Sequence, residues 1–415
     1  MSSNAPRTFN VVCIPGDGIG VDITDAATQV LTTLATTFGK FNLKFDTLDW
    51  SSKNYKQRGY YAPEGGVEGL KKYDAIYFGA VGWPDVPDHI SLWQMILPIR
   101  TTLNQYANVR PTRIIPGTVS PLSACAADPA LLDWVIVREN SEGEYSGHGG
   151  TTPSTAHAAH TVATEVSIFT RVGIERIMRF AFETALHRPR KLLTMVTKSN
   201  AQRHGMVLWD AIFYEVAREY EGRVTYDKML VDAMTVRMVN RPQSLDTIVA
   251  TNLHADILSD LAAALSGSIG IAPSSNLDPT RAFPSMFEPI HGSAPDIAGQ
   301  GIANPIGAFW SAAEMVRWLA GADGESNKEG LVEGTGVGDM VEAADCLMQA
   351  IANVTEKGVK TKDLGGKSST KEVTDAVCEE IPKLYSEESL MYLRQDFRWN
   401  YRPGASNCLV LSRKL

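Results

Sequence analysis

Hydrophobic and polar residues follow two different periods along this chain, and the places where one period gives way to the other mark its elements. The clearest change lies in residues 247–265, TIVATNLHADILSDLAAAL. Ile248, Val249 and Ala250 form a short apolar run of the kind found in a buried strand. After Asn252 the spacing of Ile257, Leu258, Leu261 and Leu265 becomes helical. Similar apolar runs predict strands over 9–14, 73–80, 134–137 and 191–197. Amphipathic spacing predicts helices over 21–34, 167–186, 207–220, 341–354 and 370–381, with a further one after Asn304 through Leu319. Glycine, serine and proline concentrate in 142–150, 267–279, 286–299 and 321–338, which read as loops. No internal repeat is visible, and from Pro382 to Leu415 the pattern weakens into an aromatic, arginine-containing tail of unassigned role.

Composition narrows the class. The 415 residues suffice for two domains or one large α/β unit, and 44% hydrophobic with 21% charged residues is ordinary for a globular protein. A net charge of −8 gives no reason to expect nucleic acid or an anionic membrane as partner. No apolar run reaches the roughly 18 residues of a membrane span. The first ten residues lack the apolar core of a secretory signal. Cys13, Cys125, Cys346, Cys378 and Cys408 form no C-x-x-C pair and no disulfide framework, so a reducing, cytoplasmic setting is expected. The final Ser-Arg-Lys-Leu is a poor match to a peroxisomal tail, which leaves that compartment as the alternative.

Several residues have chemical potential beyond packing. Asp256 and Asp260 stand at i and i+4, on one helical face, and nothing nearby in sequence neutralises them. They are a solvated acidic face or a pair of hard oxygen ligands for Mg²⁺ or Mn²⁺. Arg100, Arg110 and Arg138 are three unrelated ion pairs or, converging, a forked grip on a dicarboxylate. Arg138 closes an apolar run, an expensive place for an unpaired charge. Residues 15–20, Pro-Gly-Asp-Gly-Ile-Gly, join a strand to a helix, but the spacing is not the G-x-G-x-x-G of a dinucleotide fold. His157 and His160 lie in a small, polar segment without further ligand types and read as bland.

Taken together and in order, the stretches 14–20, Arg100 with Arg110, Arg138-Glu139-Asn140, Tyr145, Lys198-Ser199-Asn200, 252–260 and His291-Gly292-Ser293-Ala294-Pro295-Asp296 resemble the β-decarboxylating dehydrogenases. That family contains the isopropylmalate, isocitrate, homoisocitrate and tartrate or D-malate dehydrogenases. The resemblance spans roughly residues 8–381. It implies an α/β, isopropylmalate dehydrogenase-like two-domain fold that is not a Rossmann fold. Residues 1–105 and 267–381 would form a large cofactor domain. Residues 106–266 would form a small domain carrying substrate and metal residues and the dimer interface. The active site would lie in the interdomain cleft, completed by a homodimer.

By the same resemblance, Arg100, Arg110 and Arg138 bind the carboxylates of a small 2-hydroxy dicarboxylic acid. Asp256 and Asp260, with Asp232 from the other subunit, hold Mg²⁺ or Mn²⁺. Lys198, also from that subunit, takes the hydroxyl proton, and Tyr145 protonates the enol after CO₂ leaves. Ile14, Glu288, His291, Gly292, Ser293, Ala294, Asp296, Ile297 and Asn304 line the cofactor site. Asp296 facing the adenosine ribose favours NAD over NADP. The resemblance also admits K⁺ as an accessory ion.

Substrate choice is expected just before Arg100, where Trp93 would fill the volume an isopropyl group needs, or else points away. The surrounding Ser-Leu-Trp-Gln-Met-Ile-Leu-Pro-Ile looks like the tartrate/D-malate branch. D-malate or tartrate is therefore expected, with isopropylmalate or another 3-substituted malate as the alternative and a non-catalytic relative as the outsider. His254-Ala255, where the family commonly has Phe-Gly, is the chief departure.

Overall fold

The computed structural model describes residues 6–152, 161–321 and 337–385. Its strands are β1 Arg7–Gly16, β2 Phe41–Thr47, β3 Ala75–Ala80, β4 Ala107–Arg113, β5 Asp133–Glu139, β6 Gly143–Thr152, β7 Val162–Ile168, β8 Leu192–Thr197, β9 Thr225–Leu230, β10 Thr247–Ala250, β11 Pro273–Leu277 and β12 Ser285–Pro289. The helices are α1 Ile19–Phe38, α2 Ser52–Arg58, α3 Asp88–Ser91, α4 Leu97–Thr102, α5 Ser123–Ala127, α6 Arg171–Leu186, α7 Gly205–Ala217, α8 Val231–Asn240, α9 Asn252–Ser266, α10 Ile306–Ala320, α11 Val337–Glu356 and α12 Thr370–Leu384.

Ten strands form one mixed sheet in the order β2-β1-β3-β12-β11-β4-β5-β10-β8-β9, and β6 and β7 make a separate two-stranded arm. The outer strands pair in parallel, as runs such as β3, buried at every position, require. The three central junctions, β12 with β11, β11 with β4 and β4 with β5, are antiparallel. Strands from 107–250 fill one half of the sheet and the others fill the other half, joined through β11 and β4. Helices cover both faces, and α10 is buried along its whole length. Among the described residues no helix is long and apolar enough to cross a membrane.

The structure departs from the sequence pattern in identifiable places. Residues 273–277, expected in a loop, are the buried strand β11, because the polar side chains of Ser274 and Asn276 are satisfied by neighbouring strands. Residues 143–152 are strand and not loop, paired with β7 in an arm whose largely exposed positions give no hydrophobic alternation to read. The helix expected from 167 begins at Arg171, where Thr170 caps it by accepting the Gly173 N–H. The loop expected from 286 begins as β12 and turns irregular only after Pro289. On α9, Ile257 is 55% exposed and not part of the buried stripe, which runs through Ala255, Leu258, Ala262 and Leu265. His157 and His160, most of 321–338 and the tail beyond 385 lie outside the described residues.

Candidate active site

Sheet register brings the first components together. Arg138 on β5 stands opposite Asn108 of β4 on one side and Ala250 of β10 on the other. Since Asn108 and Arg110 share a face of β4, both side chains emerge near Arg138. Just past Ala250, Thr251 caps α9 by accepting the His254 N–H, so the first turns of that helix rise beside the guanidinium. Arg100 reaches the same place from α4, after a widened turn over Leu92–Ile96.

Asp256 is the hub. Arg138 Nη1 and Arg110 Nη1 both donate to its Oδ1, the latter at 3.3 Å, and Tyr145 donates its hydroxyl to Oδ2 at 3.1 Å. Arg138 also donates Nε and Nη2 to Asn252 Oδ1 at 2.9 and 2.6 Å, and its guanidinium lies 5.5 Å from the Tyr145 ring centroid. Arg110 donates Nη1 to Ser259 Oγ at 2.6 Å and Nε to Asn108 Oδ1 at 2.9 Å. Arg100 Nη2 is paired with Glu288 Oε1 at 3.0 Å, while its buried Nε has no partner.

The three guanidiniums are buried and feel one another. Burial, followed by repulsion from Arg138, pushes Arg110 down to about 10 despite Asp256. Arg100 is depressed by burial against the pull of Glu288. Burial disfavours the charged Asp256, but Arg138, Arg110 and the Tyr145 hydrogen bond outweigh it and hold its carboxyl below the ordinary range. Asp260 goes the other way: burial and its neighbour Asp256 raise it against the two arginines. Its carboxylate makes no hydrogen bond or ion pair with the described residues. The Tyr145 phenol is raised by burial and by Asp256, with Arg138 opposing.

Lys198 follows β8 and pairs with Asp232, in the first turn of α8, at 2.6 Å. The hydrogen bond to Lys198 lowers Asp232. Neither residue bonds to the Asp256 group. Among the described residues no three His, Cys, Asp or Glu side chains converge on a metal position within one chain. His254 is buried, its Nδ1 has no partner, and burial lowers its pKa while Glu144 opposes; both Glu144 carboxylate oxygens are likewise buried without partners. Trp93 is 42% exposed, and its ring lies against Gly147 of β6, where a Cβ would come within 2.6 Å of it.

The loops at the other side of the sheet are knitted together. Asp17 accepts hydrogen bonds from Ser52 N, Ser52 Oγ and Gly82 N at 2.7, 2.5 and 2.9 Å. Ser293 donates its hydroxyl to Gly82 O at 2.6 Å and accepts the Ile19 N–H at 2.8 Å. Gly18, at φ +57°, approaches so closely that a Cβ would lie 2.0 Å from Ser293 O. Ile14 is buried beneath this junction, Ala294 has a positive φ, and Asn304 is tied to Asp363 at 2.8 Å. Gly292 faces open space, His291 Nε2 is buried without a partner, and Asp296 and Ile297 follow on the same turn, the aspartate exposed. Sequence reading missed Asn108, Asn276, Ser259 and Asp17 as supports. The signal that could have exposed Asp17 is an acid inside a tight glycine turn, which has to satisfy the backbone amides around it.

Comparison with known proteins gives a concordant picture. Residues 10–377 match the family described as isocitrate/isopropylmalate dehydrogenase. The chain is 58% identical over 377 residues to a probable tartrate dehydrogenase/decarboxylase of Agrobacterium vitis, covering 90% of this chain and 98% of that one. It is 44% identical over 377 residues to the decarboxylating D-malate dehydrogenase of Escherichia coli, covering 90% and 99%. The crystal structure of isocitrate dehydrogenase from Methylococcus capsulatus superposes with a TM-score of 0.76 at 32% identity, over 90% of this chain and 99% of that one.

Proposed function

This chain belongs to the isocitrate/isopropylmalate dehydrogenase family, and from that premise we propose that it oxidises and decarboxylates D-malate or tartrate with a divalent metal and NAD. The observation that carries the reading is the convergence of Arg100, Arg110 and Arg138 around Asp256 and Tyr145. Three buried guanidiniums converging on one place present forked donors suited to the carboxylates of a doubly charged acid.

The donor set fits a hard divalent cation. Asp256 and Asp260 offer carboxylate oxygens from one helical face, and among the described residues Asp260 has no hydrogen bond or ion pair. Mg²⁺ commonly takes only one or two protein carboxylates and fills its shell from substrate and water. Asp232 would join from the second subunit of a homodimer, bringing Lys198 with it, which agrees with their pairing away from Asp256 within one chain. When bound, the ion supplies Lewis acidity at the substrate hydroxyl and at the ketone that replaces it. The 291–297 turn would hold NAD, which would supply the acceptor for the hydride leaving C2.

The remaining work falls to the chain's own side chains. The arginines fix both carboxylates and so hold the C2–H and the departing carboxylate in one orientation. Lys198 Nζ, which must first release to solvent the ammonium proton it now shares with Asp232, accepts the hydroxyl proton as the neutral amine. After CO₂ departs, the electron pair of the broken C–C bond is left on C3, and Tyr145 delivers its phenolic proton there. The raised phenol is protonated at neutral pH, as a donor must be. The unpartnered His291 Nε2 and the open backbone at Gly292 support a cofactor at the 291–297 turn, where the exposed Asp296 disfavours a 2′-phosphate. We also propose that Trp93, packed against Gly147 two residues beyond Tyr145, limits the space for a C3 substituent. We further propose residues 106–266 as the small domain and a cytoplasmic location, with neither nucleic acid nor membrane as partner.

A substrate panel followed by NADH formation, with Mn²⁺ present and absent, tests the proposal. D-malate or tartrate should lead, NAD should exceed NADP in kcat/KM, and a chelator should abolish turnover. Isopropylmalate leading the panel, or turnover surviving the chelator, would overturn it.

A further inference from the structure

Beneath the arginines, β4, β5, β11 and β12 bury a set of amides at the centre of the sheet. Asn108, Asn140 and Asn276 are each 0% exposed. Arg110 Nε donates to Asn108 Oδ1 at 2.9 Å. Asn108 Nδ2 donates to Asn276 Oδ1 at 2.9 Å and to Ser274 Oγ at 2.7 Å. Asn276 Nδ2 donates to Glu288 Oε1 at 2.7 Å, and that same oxygen accepts from Arg100 Nη2 at 3.0 Å. Asn140 Nδ2 is a second donor to Asn276 Oδ1 at 2.9 Å, and Met286 O is a second acceptor for Nδ2 at 3.4 Å. All four hydrogen-bonding valences of the Asn276 amide are thus filled, and its orientation is fixed by them.

We infer that Asn276 is a positioning residue that couples Arg110 to Arg100 through Asn108 and Glu288. The bonds run with one polarity, from the Arg110 cation through two amide dipoles to the Glu288 anion, where Arg100 donates to the same oxygen. In a buried setting such dipoles reinforce one another, so reversing one disturbs the whole chain. Register supports the arrangement, since Asn276 stands directly opposite Asn108, and Ser274 opposite Glu288. A strand built only for packing would fill these positions with apolar side chains. Here the polar side chains set the separation of two guanidiniums that must match the two carboxylates of one small acid. Glu288 also belongs to the proposed cofactor side, so the same amide links the acid-binding and cofactor-binding halves of the site.

This inference rests on the proposed role of Arg100 and Arg110, and the test separates the two. Asn276→Asp keeps the side chain's shape and its acceptor oxygen but turns the donor toward Glu288 into a second anion. A tenfold or larger rise in KM for the hydroxy acid is expected, with kcat changed less than threefold and Tm lowered by the buried like-charge contact. In Asn276→Asp with Glu288→Gln the like-charge contact is gone, so any lost Tm should return. KM should stay raised, because Arg100 then lacks its carboxylate. Should Asn276→Asp fail to fold, Asn108→Ser breaks the chain from the Arg110 end and should raise KM by the same factor. The inference is overturned if folded Asn276→Asp or Asn108→Ser stays within twofold of the wild-type KM, or if the double variant restores KM together with Tm. If Arg100→Lys and Arg110→Lys leave KM unchanged, the functional reading itself falls and takes the inference with it.

Discussion

Replacing Arg138 by lysine removes the fork and keeps the charge, which isolates geometry from electrostatics. The native guanidinium serves Asn252 through two nitrogens and Asp256 through a third. A lysine ammonium reaches one of these partners and abandons the other. Charge-assisted hydrogen bonds contribute about 1.5–3 kcal/mol each, and a stranded buried acceptor costs a further ~1–3 kcal/mol. Asn252 is 1% exposed, so water does not replace what it loses. The Asp256 side chain is 37% exposed and partly recovers. The net loss of stability should be about 2–4 kcal/mol, read from urea unfolding. In turnover, losing a bidentate carboxylate contact worth about 3 kcal/mol lowers kcat/KM roughly 10²-fold, mostly through KM, since the grip is made in ground and transition states alike. The assay is NADH formation at saturating NAD and Mn²⁺, with Arg171→Lys as control. Arg171 forms an exposed pair with Glu215 and should change neither quantity measurably. A kcat/KM within fivefold of wild type for Arg138→Lys would refute both the geometry and the assigned grip.

Other outcomes follow from the same contacts. Tyr145→Phe should lower decarboxylation of the directly supplied oxo acid by roughly 10²- to 10⁴-fold, the usual worth of a positioned proton donor, and an unchanged rate would remove its role. Because burial and Asp256 hold the phenol above its ordinary 10.0, Tyr145 stays a competent donor across the neutral range and is lost only above that value; an alkaline limb below pH 10 that disappears in Tyr145→Phe would contradict this. Gly18→Ala pushes a methyl onto Ser293 O and should raise KM for NAD about tenfold or more while sparing the KM for the acid; equal effects on both would refute a local disturbance. Asp246→Asn keeps an acceptor oxygen but removes the fully buried countercharge now 2.5 Å from Arg188 Nε, and should destabilise by about 3–5 kcal/mol in urea; a loss under ~1 kcal/mol would show that the Asp133 charge alone suffices.

Strong apolar periods were legible at once, which is why β3, β8, β10 and α9 fell where expected. β11 was not, because Pro-Ser-Ser-Asn-Leu looks like a loop until its partners are known. Its polar atoms are satisfied by Asn108, far away in sequence, and by Glu288 on the strand that follows. The arm of β6 and β7 failed for a different reason: a ribbon with little to bury shows no alternation. Spacing groups Ile257 with the apolar stripe of Leu258, Leu261 and Leu265, yet α9 leaves it exposed. In the site, Asp256, Tyr145 and the three arginines could be named from their order along the chain. What neutralises Asp256 could not, since each partner arrives from a different strand. The pairing of Lys198 with Asp232 is equally invisible to local pattern.

The ten-stranded sheet runs without a break from β2 to β9, and β11 and β4 hydrogen-bond directly across its middle. Movement of one half against the other therefore has no free swivel. It has to be absorbed as a small change of twist shared among ladders that stay intact, so its amplitude is limited by how far backbone bonds stretch and not by the length of a connecting segment. If the acid and the cofactor bind where proposed, on opposite sides of that centre, both would strain the same stretch of backbone, and each arrival should alter the work required of the other.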